Sequence, residues 1–130
     1  TKLLIKPSKT LKILGSGGSK GIPDNYRQSI LNNLKTNTER LFIGSAGIET
    51  IMLAKNEIQF VFHGRVTPWD HSPMDLITKE AGGFVYMAIN KDEFNISSKG
   101  SILAACDIKT WDTIRDVIIP SDNPYRKYKN

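Results

Sequence analysis

Only one cysteine, Cys106, occurs in the 130 residues, which excludes a disulfide within the chain, and its place at the end of the apolar run Ile102-Leu103-Ala104-Ala105-Cys106 marks it as a small buried hydrophobe. Runs of that length fall far short of the roughly 18 residues a membrane-spanning helix needs, so no membrane segment is expected. The two histidines, His63 and His71, have no cysteine or second histidine at a zinc-ligand spacing. Internal repeats and low-complexity segments are missing, which excludes a solenoid. With 39% hydrophobic and 24% charged residues, neither a disordered nor a fibrous chain fits. The sequence also lacks an initial Met and a charged-then-apolar leader; with Thr1 first, it reads as a piece of a longer product suited to a reducing cytoplasm.

What is present fits one globular domain. The formal charge of +5 comes from lysines scattered through Lys2, Lys6, Lys9, Lys12 and Lys20 and grouped again near the end, a pattern of surface solvation rather than of a nucleic-acid interface. Residues 1-119 form the expected domain. Residues 120-130, with Tyr125-Arg126-Lys127-Tyr128-Lys129, read as a polar, fraying tail.

The periodicity alternates. Leu11-Lys12-Ile13-Leu14 is a short strand stopped by Gly15-Ser16-Gly17-Gly18, which reads as a flexible loop, and Tyr26, Ile30, Leu31 and Leu34 then recur at helical spacing. Arg40 to Ile43 make a second strand, and Ser45 is placed to cap a helix with the apolar stripe Ile48, Ile51 and Met52. Ile58, Phe60 and Phe62 alternate as a strand with one more deeply buried face. A helix follows Pro68, with Met74, Ile77 and Ala81 on one face and Gly82-Gly83 as its stop. Phe84–Met87 and Ile102–Ala105 are two further strands, and a last helix from Asp107 buries Ile108, Trp111, Ile114 and Ile118. Strands alternating with helices imply the α/β class: a mostly parallel five-stranded sheet flanked by helices on both faces.

In such a sheet the ligand crevice lies beyond the carboxyl ends of the strands, where helix N-termini present free N–H groups. Three loops qualify: Leu14-Gly15-Ser16, Gly44-Ser45-Ala46-Gly47, and Gly64 through Asp70. Read without further context, a Gly-Ser pair is a helix cap, Asp70 either caps its helix or binds a hard cation, and His71 is an imidazole with a satisfied hydrogen bond.

The wording around Asp70 favours the cation. Pro68-Trp69-Asp70-His71-Ser72-Pro73, then Leu76-Ile77, then Glu80-Ala81-Gly82-Gly83, resembles the second signature of the inositol monophosphatase family, a Trp-Asp pair opening a helix that ends in Glu-Ala-Gly-Gly. Leu14-Gly15-Ser16, Gly44-Ser45-Ala46 and the strand Phe60 to Gly64 follow in the family's order, so the resemblance runs over about residues 11 to 119. It implies the C-terminal half of a Mg2+-dependent phosphomonoesterase, with Asp70 as the catalytic, metal-binding residue and Ser16, Gly44, Ser45, Ala46 and His63 around the substrate. The implied partners are a small phosphorylated substrate, the missing N-terminal half of the same protein and, at full length, a second copy in a homodimer. The substrate could be an inositol, sugar, histidinol or nucleotide phosphate.

The sequence departs from the family pattern at His63, commonly a glutamate in enzymes acting on inositol phosphate, at Met74 in place of glycine, and at Arg40, four rather than three residues before Gly44. The family's other signature, Asp-Pro-x-Asp-Gly-Thr, is missing, since no Asp-Gly pair occurs in the chain. One carboxylate cannot hold two or three Mg2+ ions, so the expectation is a piece inactive by itself. The alternative is a non-catalytic or degenerate α/β domain that binds a polyol phosphate or a regulatory partner.

Overall fold

The computed structural model describes residues 13–129, so Leu11 and Lys12 of the expected first strand lie outside the described residues. The elements in chain order are β1 (Ile13–Gly18), α1 (Asp24–Asn37), β2 (Thr38–Leu41), α2 (Ala46–Ala54), β3 (Phe60–His63), α3 (Pro68–Glu80), β4 (Phe84–Met87), β5 (Ile102–Ala105), α4 (Ile108–Ile118) and a short 3-10 helix (Pro124–Lys127).

The five strands form one sheet in the order β2-β1-β3-β5-β4. β1 pairs parallel with β2 and with β3, while β5 runs antiparallel to both β3 and β4. The sheet is thus mixed, a correction to the mostly parallel expectation. Parallel neighbours require a crossover, and α1, α2 and α3 supply one after each of the first three strands. The chain between β4 and β5 contains no helix, so it turns back and inserts β5 in reverse between β3 and β4.

Helices cover both faces. On one, Ile30 and Leu34 of α1 and Trp111 and Ile114 of α4 pack over Phe60 and Phe62 of β3. On the other, Leu53 of α2 and Met74 of α3 pack over Val61, Val85 and Ile102. The central strand β3 is buried on both sides at Phe60, Val61 and Phe62, deeper than its alternation suggested, because it lies mid-sheet under two helical layers.

Three local expectations are corrected. Gly15-Ser16-Gly17-Gly18 continues β1 instead of forming a loop: Gly15 to Gly18 pair in register with Phe60 to His63, because the bare glycine backbones let the bulky β3 side chains lie against them. The helix α2 is rotated from its apolar stripe, with Ile48 and Ile51 exposed and Glu49, Thr50 and Leu53 buried. In α4, Trp111, Ile114 and Ile118 are buried as expected but Ile108, in the first turn, faces outward.

The segment after Pro120 is docked rather than frayed. Tyr125 is 1% exposed, its hydroxyl donates to Ser101 Oγ at 3.1 Å, and its ring meets Tyr26 and Tyr128 at centroid distances of 5.3 and 5.8 Å. Those contacts carry the tail onto the α1–α4 layer.

The end of α3 sets the approach to β4. Gly82, at φ +90°, donates to Lys79 O, and Gly83 donates to Thr78 O, the paired bonds of a Schellman stop that a left-handed glycine makes without steric cost. The Glu-Ala-Gly-Gly ending is thereby explained locally, as the hinge that returns the chain to the sheet.

Candidate functional site

A cleft of about 510 Å³ opens at the carboxyl ends of β1, β2 and β3. Five of the six residues singled out in the sequence line it: Ser16, Gly44, Ala46, His63 and Asp70. Ser45 does not, because its hydroxyl accepts the Ile48 N–H at 3.3 Å and caps α2. Ser16 lies within β1 and His63 ends β3. Asp70 stands in the first turn of α3, where a carboxylate complements the free N–H groups and the positive end of the helix dipole. Thr67 Oγ1 donates to Asp70 Oδ2 at 3.0 Å, so the exposed carboxylate is held at one oxygen.

Behind these residues lies a cluster that sequence reasoning missed. Glu49, 4% exposed, reaches from the buried face of α2 into the cleft wall and takes Ser16 Oγ on Oε2 at 2.5 Å and His63 Nε2 on Oε1 at 3.0 Å. His63 Nδ1 is 2.7 Å from His71 Nε2, and the Thr67 N–H donates to His71 Nδ1 at 2.9 Å. The Thr67 backbone presents both its N–H, at 2.9 Å, and its carbonyl, at 3.0 Å, to His71 Nδ1, so the ring has a partner there whether or not Nδ1 carries a proton. The chain of contacts ends on the Glu49 carboxylate, which accepts the Ser16 hydroxyl on one oxygen and faces His63 Nε2 with the other.

Burial and these contacts shift both Glu49 and His71 from their ordinary values. Burial by itself would raise the Glu49 pKa, but the hydrogen bonds from His63 and Ser16 and the nearby imidazoles outweigh it, and the carboxyl sits below its ordinary range. Burial holds the His71 imidazole below its ordinary value, against the Thr67 carbonyl, which favours the protonated ring. An ionised Glu49 beside a neutral His71 is the charge state this wiring prefers.

The arrangement limits the chemistry. A serine nucleophile needs an imidazole within hydrogen-bond reach, but Ser16 and His63 each bond a different oxygen of one carboxylate, so they are not joined as nucleophile and base. With its proton given to Glu49, Ser16 Oγ offers lone pairs to a ligand hydroxyl. Asp70 is suited to a hard cation as one oxygen ligand. Among the described residues no group of three or more His, Cys, Asp or Glu is placed to hold a metal ion, so Asp70 is at most one part of a site.

The three-layer α/β domain places this cleft where open α/β sheets receive their ligands, beyond the carboxyl ends of the strands. The sequence profile of the inositol monophosphatase family matches residues 7–119, and the chain belongs to that family. It is a family of phosphatases. Solved structures agree on the fold. Inositol monophosphatase II from Staphylococcus aureus MSSA476 superposes with a TM-score of 0.72 at 18% identity, over 94% of this chain and 46% of that one. SaIMPase-II with bound 2'AMP gives 0.66 at 19%, over 95% and 46%, and the Thermotoga maritima IMPase gives 0.66 at 24%, over 85% and 43%. The chain thus spans less than half the length of these structures. No curated protein sequence matches it. No helix among the described residues is long and apolar enough to cross a membrane.

Proposed function

We propose that this chain is the C-terminal part of a Mg2+-dependent phosphomonoesterase, contributing one metal ligand, Asp70, and the surface that receives the substrate's hydroxyl-bearing body. The observation that carries the reading is the convergence of Asp70, Ser16, Gly44, Ala46 and His63 on one cleft at the ends of β1, β2 and β3. Related structures hold inositol monophosphate and 2'AMP, both phosphate esters of a polyhydroxylated body, which favours a small phosphomonoester as the substrate here.

When bound, Mg2+ supplies Lewis acidity to the phosphate and lowers the pKa of a coordinated water. The chain's own residues orient. Asp70, steadied by Thr67, offers its second carboxylate oxygen as a ligand. Ser16 accepts a hydrogen bond from a substrate hydroxyl because Glu49 has taken its proton, while Gly44 and Ala46 leave room for a close approach. Both nitrogens of His63 are engaged by Glu49 and His71 in this state, so its contact with the substrate is through the ring edge unless a ligand hydroxyl displaces one of those bonds.

The remaining metal ligands and the phosphate cradle belong to a second half of the protein, and the complete enzyme is a cytoplasmic homodimer. Support for a covered face comes from exposed apolar side chains on two neighbouring helices and the loop before them: Phe42 at 79%, Ile48 and Ile51 on α2, and Trp69 at 74% with Leu76 on α3. The chain alone is expected to bind Mg2+ weakly and to release no phosphate. Calorimetric titration with Mg2+ checks the first point: a tight site formed by residues 1-130 alone would overturn the division of ligands proposed here.

A further inference from the structure

Thr67, Asp70 and His71 are tied into one unit at the start of α3. The Thr67 hydroxyl donates to Asp70 Oδ2 at 3.0 Å, and the Thr67 carbonyl accepts the His71 backbone N–H at 3.0 Å. The His71 ring turns back on the same residue: its Nδ1 lies 2.9 Å from the Thr67 nitrogen and 3.0 Å from the Thr67 carbonyl oxygen. Phe94 packs beside the ring at a centroid distance of 6.4 Å, and His71 is only 3% exposed.

The other ring nitrogen leaves this unit. His71 Nε2 lies 2.7 Å from His63 Nδ1, with the two rings edge to face at 82°, and His63 Nε2 lies 3.0 Å from Glu49 Oε1. Glu49 Oε2 then accepts the Ser16 hydroxyl. An unbroken series of polar contacts therefore runs from the Asp70 carboxylate on α3 through β3 and α2 to Ser16 on β1. Both ends stand on the same cleft, and His71 is the link between them. Burying an imidazole costs free energy unless its nitrogens find partners, and here one partner belongs to the Asp70 turn and the other to the substrate-facing wall. An apolar side chain at position 71 could fill the space beside Phe94, but it would leave Thr67 and His63 unconnected.

We propose that His71 is a positioning residue that couples the Asp70 carboxylate to the substrate-facing pair Ser16 and His63, so that the arrangement at one end of the cleft sets the affinity at the other. It rests on the assignment of Asp70 as a Mg2+ ligand of the phosphatase site. A substrate hydroxyl that bonds Ser16 or His63 changes the bonds these make to Glu49 and His71, and through His71 the hold on the Thr67–Asp70 turn. Groups that orient a metal ligand from behind contribute strongly to metal affinity. Such coupling is reciprocal: the factor by which the substrate body changes metal affinity is the factor by which the metal changes affinity for the body.

Calorimetric titration of the complete protein with Mg2+, without substrate, reads the coupling independently of turnover. His71→Leu should weaken Mg2+ binding about tenfold, and His71→Gln, whose amide can still reach His63, should recover part of the loss. Glu49→Gln alters a residue that bonds neither Asp70 nor Thr67. It should weaken Mg2+ binding about fivefold when His71 is present and have no effect in the His71→Leu background. A residue that only supports the fold would lower the thermal midpoint and leave the Glu49→Gln effect equal in both backgrounds. That result overturns the coupling, as does a His71→Leu protein that binds Mg2+ like its parent. No Mg2+ binding by the complete protein, or binding unchanged by Asp70→Asn, overturns the metal role of Asp70 and the coupling with it. Mg2+ binding that follows the expected pattern, in a protein that hydrolyses neither inositol 1-phosphate nor 2'AMP, overturns the phosphatase reading alone and upholds the coupling.

Discussion

Glu49 Oε1 lies 3.0 Å from His63 Nε2, and Glu49 Oε2 lies 2.5 Å from Ser16 Oγ, so one buried carboxylate on α2 fixes side chains from the two central parallel strands. Removing it leaves a buried hydroxyl and a ring N–H without acceptors. Hydrogen bonds to a charged group contribute about 1.5–3 kcal/mol each, and an unpaired buried donor costs about as much. Glu49→Ala should therefore lower stability by about 3 kcal/mol, read as a shift in the urea midpoint. A loss below about 0.5 kcal/mol would show that the wiring does not hold the site together.

The same cluster predicts acid sensitivity. His71 has a depressed pKa in the folded chain, so below about 6.5 the unfolded chain binds protons more readily, and the stability His71 contributes above that pH is lost as pH falls toward its folded value. Glu49, also depressed, contributes stability above about 4.5 that is lost as pH falls through its lower folded value. Urea midpoints measured without metal from pH 8 downward should fall in two stages, the first beginning near pH 6.5. A midpoint unchanged between pH 8 and 5 would contradict the neutral state assigned to His71.

The docked end of the chain gives a third expectation. Tyr125 is buried against Tyr26 and bonds Ser101, so Tyr125→Ala should cost about 3–5 kcal/mol, as for other large aromatic deletions. Tyr125→Phe, which removes only the hydroxyl bond, should cost about 1 kcal/mol. Comparable thermal midpoints for the alanine variant and the parent would return residues 120-130 to the status of a loose tail.

Packing at the cleft makes Gly64 sensitive. A methyl group there would meet Lys20 O at 2.5 Å and the Ile22 side chain at 2.8 Å, so the loop after β1 or the loop after β3 must move. Gly64→Ala is expected to destabilise by about 1–3 kcal/mol and to disturb the Lys20 and Arg65 amide signals. Unchanged stability together with unchanged amide shifts would contradict the loop contact.

Much of this fold was legible from local pattern. The Ser45 and Asp107 caps and the Gly82-Gly83 stop rest on interactions within a few residues, β4 and β5 show as short apolar runs, and the structure places these elements as read. What was illegible depends on distant partners. Ile48 and Ile51 outweigh Glu49 in any reading of the α2 stripe, but the helix turns Glu49 inward because Ser16 and His63, 33 and 14 residues away, supply its hydrogen bonds. Gly15 to Gly18 resemble a loop until the β3 side chains lie against them. The reversed β5 needs knowledge of which strands pair. The small and charged residues of the cleft were visible as Ser16, Gly44, Ala46, His63 and Asp70. Lys20 looked like ordinary surface charge because only the docking of its turn against the Gly64 loop brings it to the cleft.

The most direct test of the phosphatase reading is Mg2+-dependent phosphate release measured side by side for residues 1-130, for the complete protein and for its Asp70→Asn variant. Release is expected from the complete protein alone, with the variant down by on the order of hundredfold or more while its circular dichroism and thermal midpoint stay unchanged. Robust release by residues 1-130, or an Asp70→Asn enzyme as active as its parent, would contradict the role of Asp70 and the division of the site between two halves.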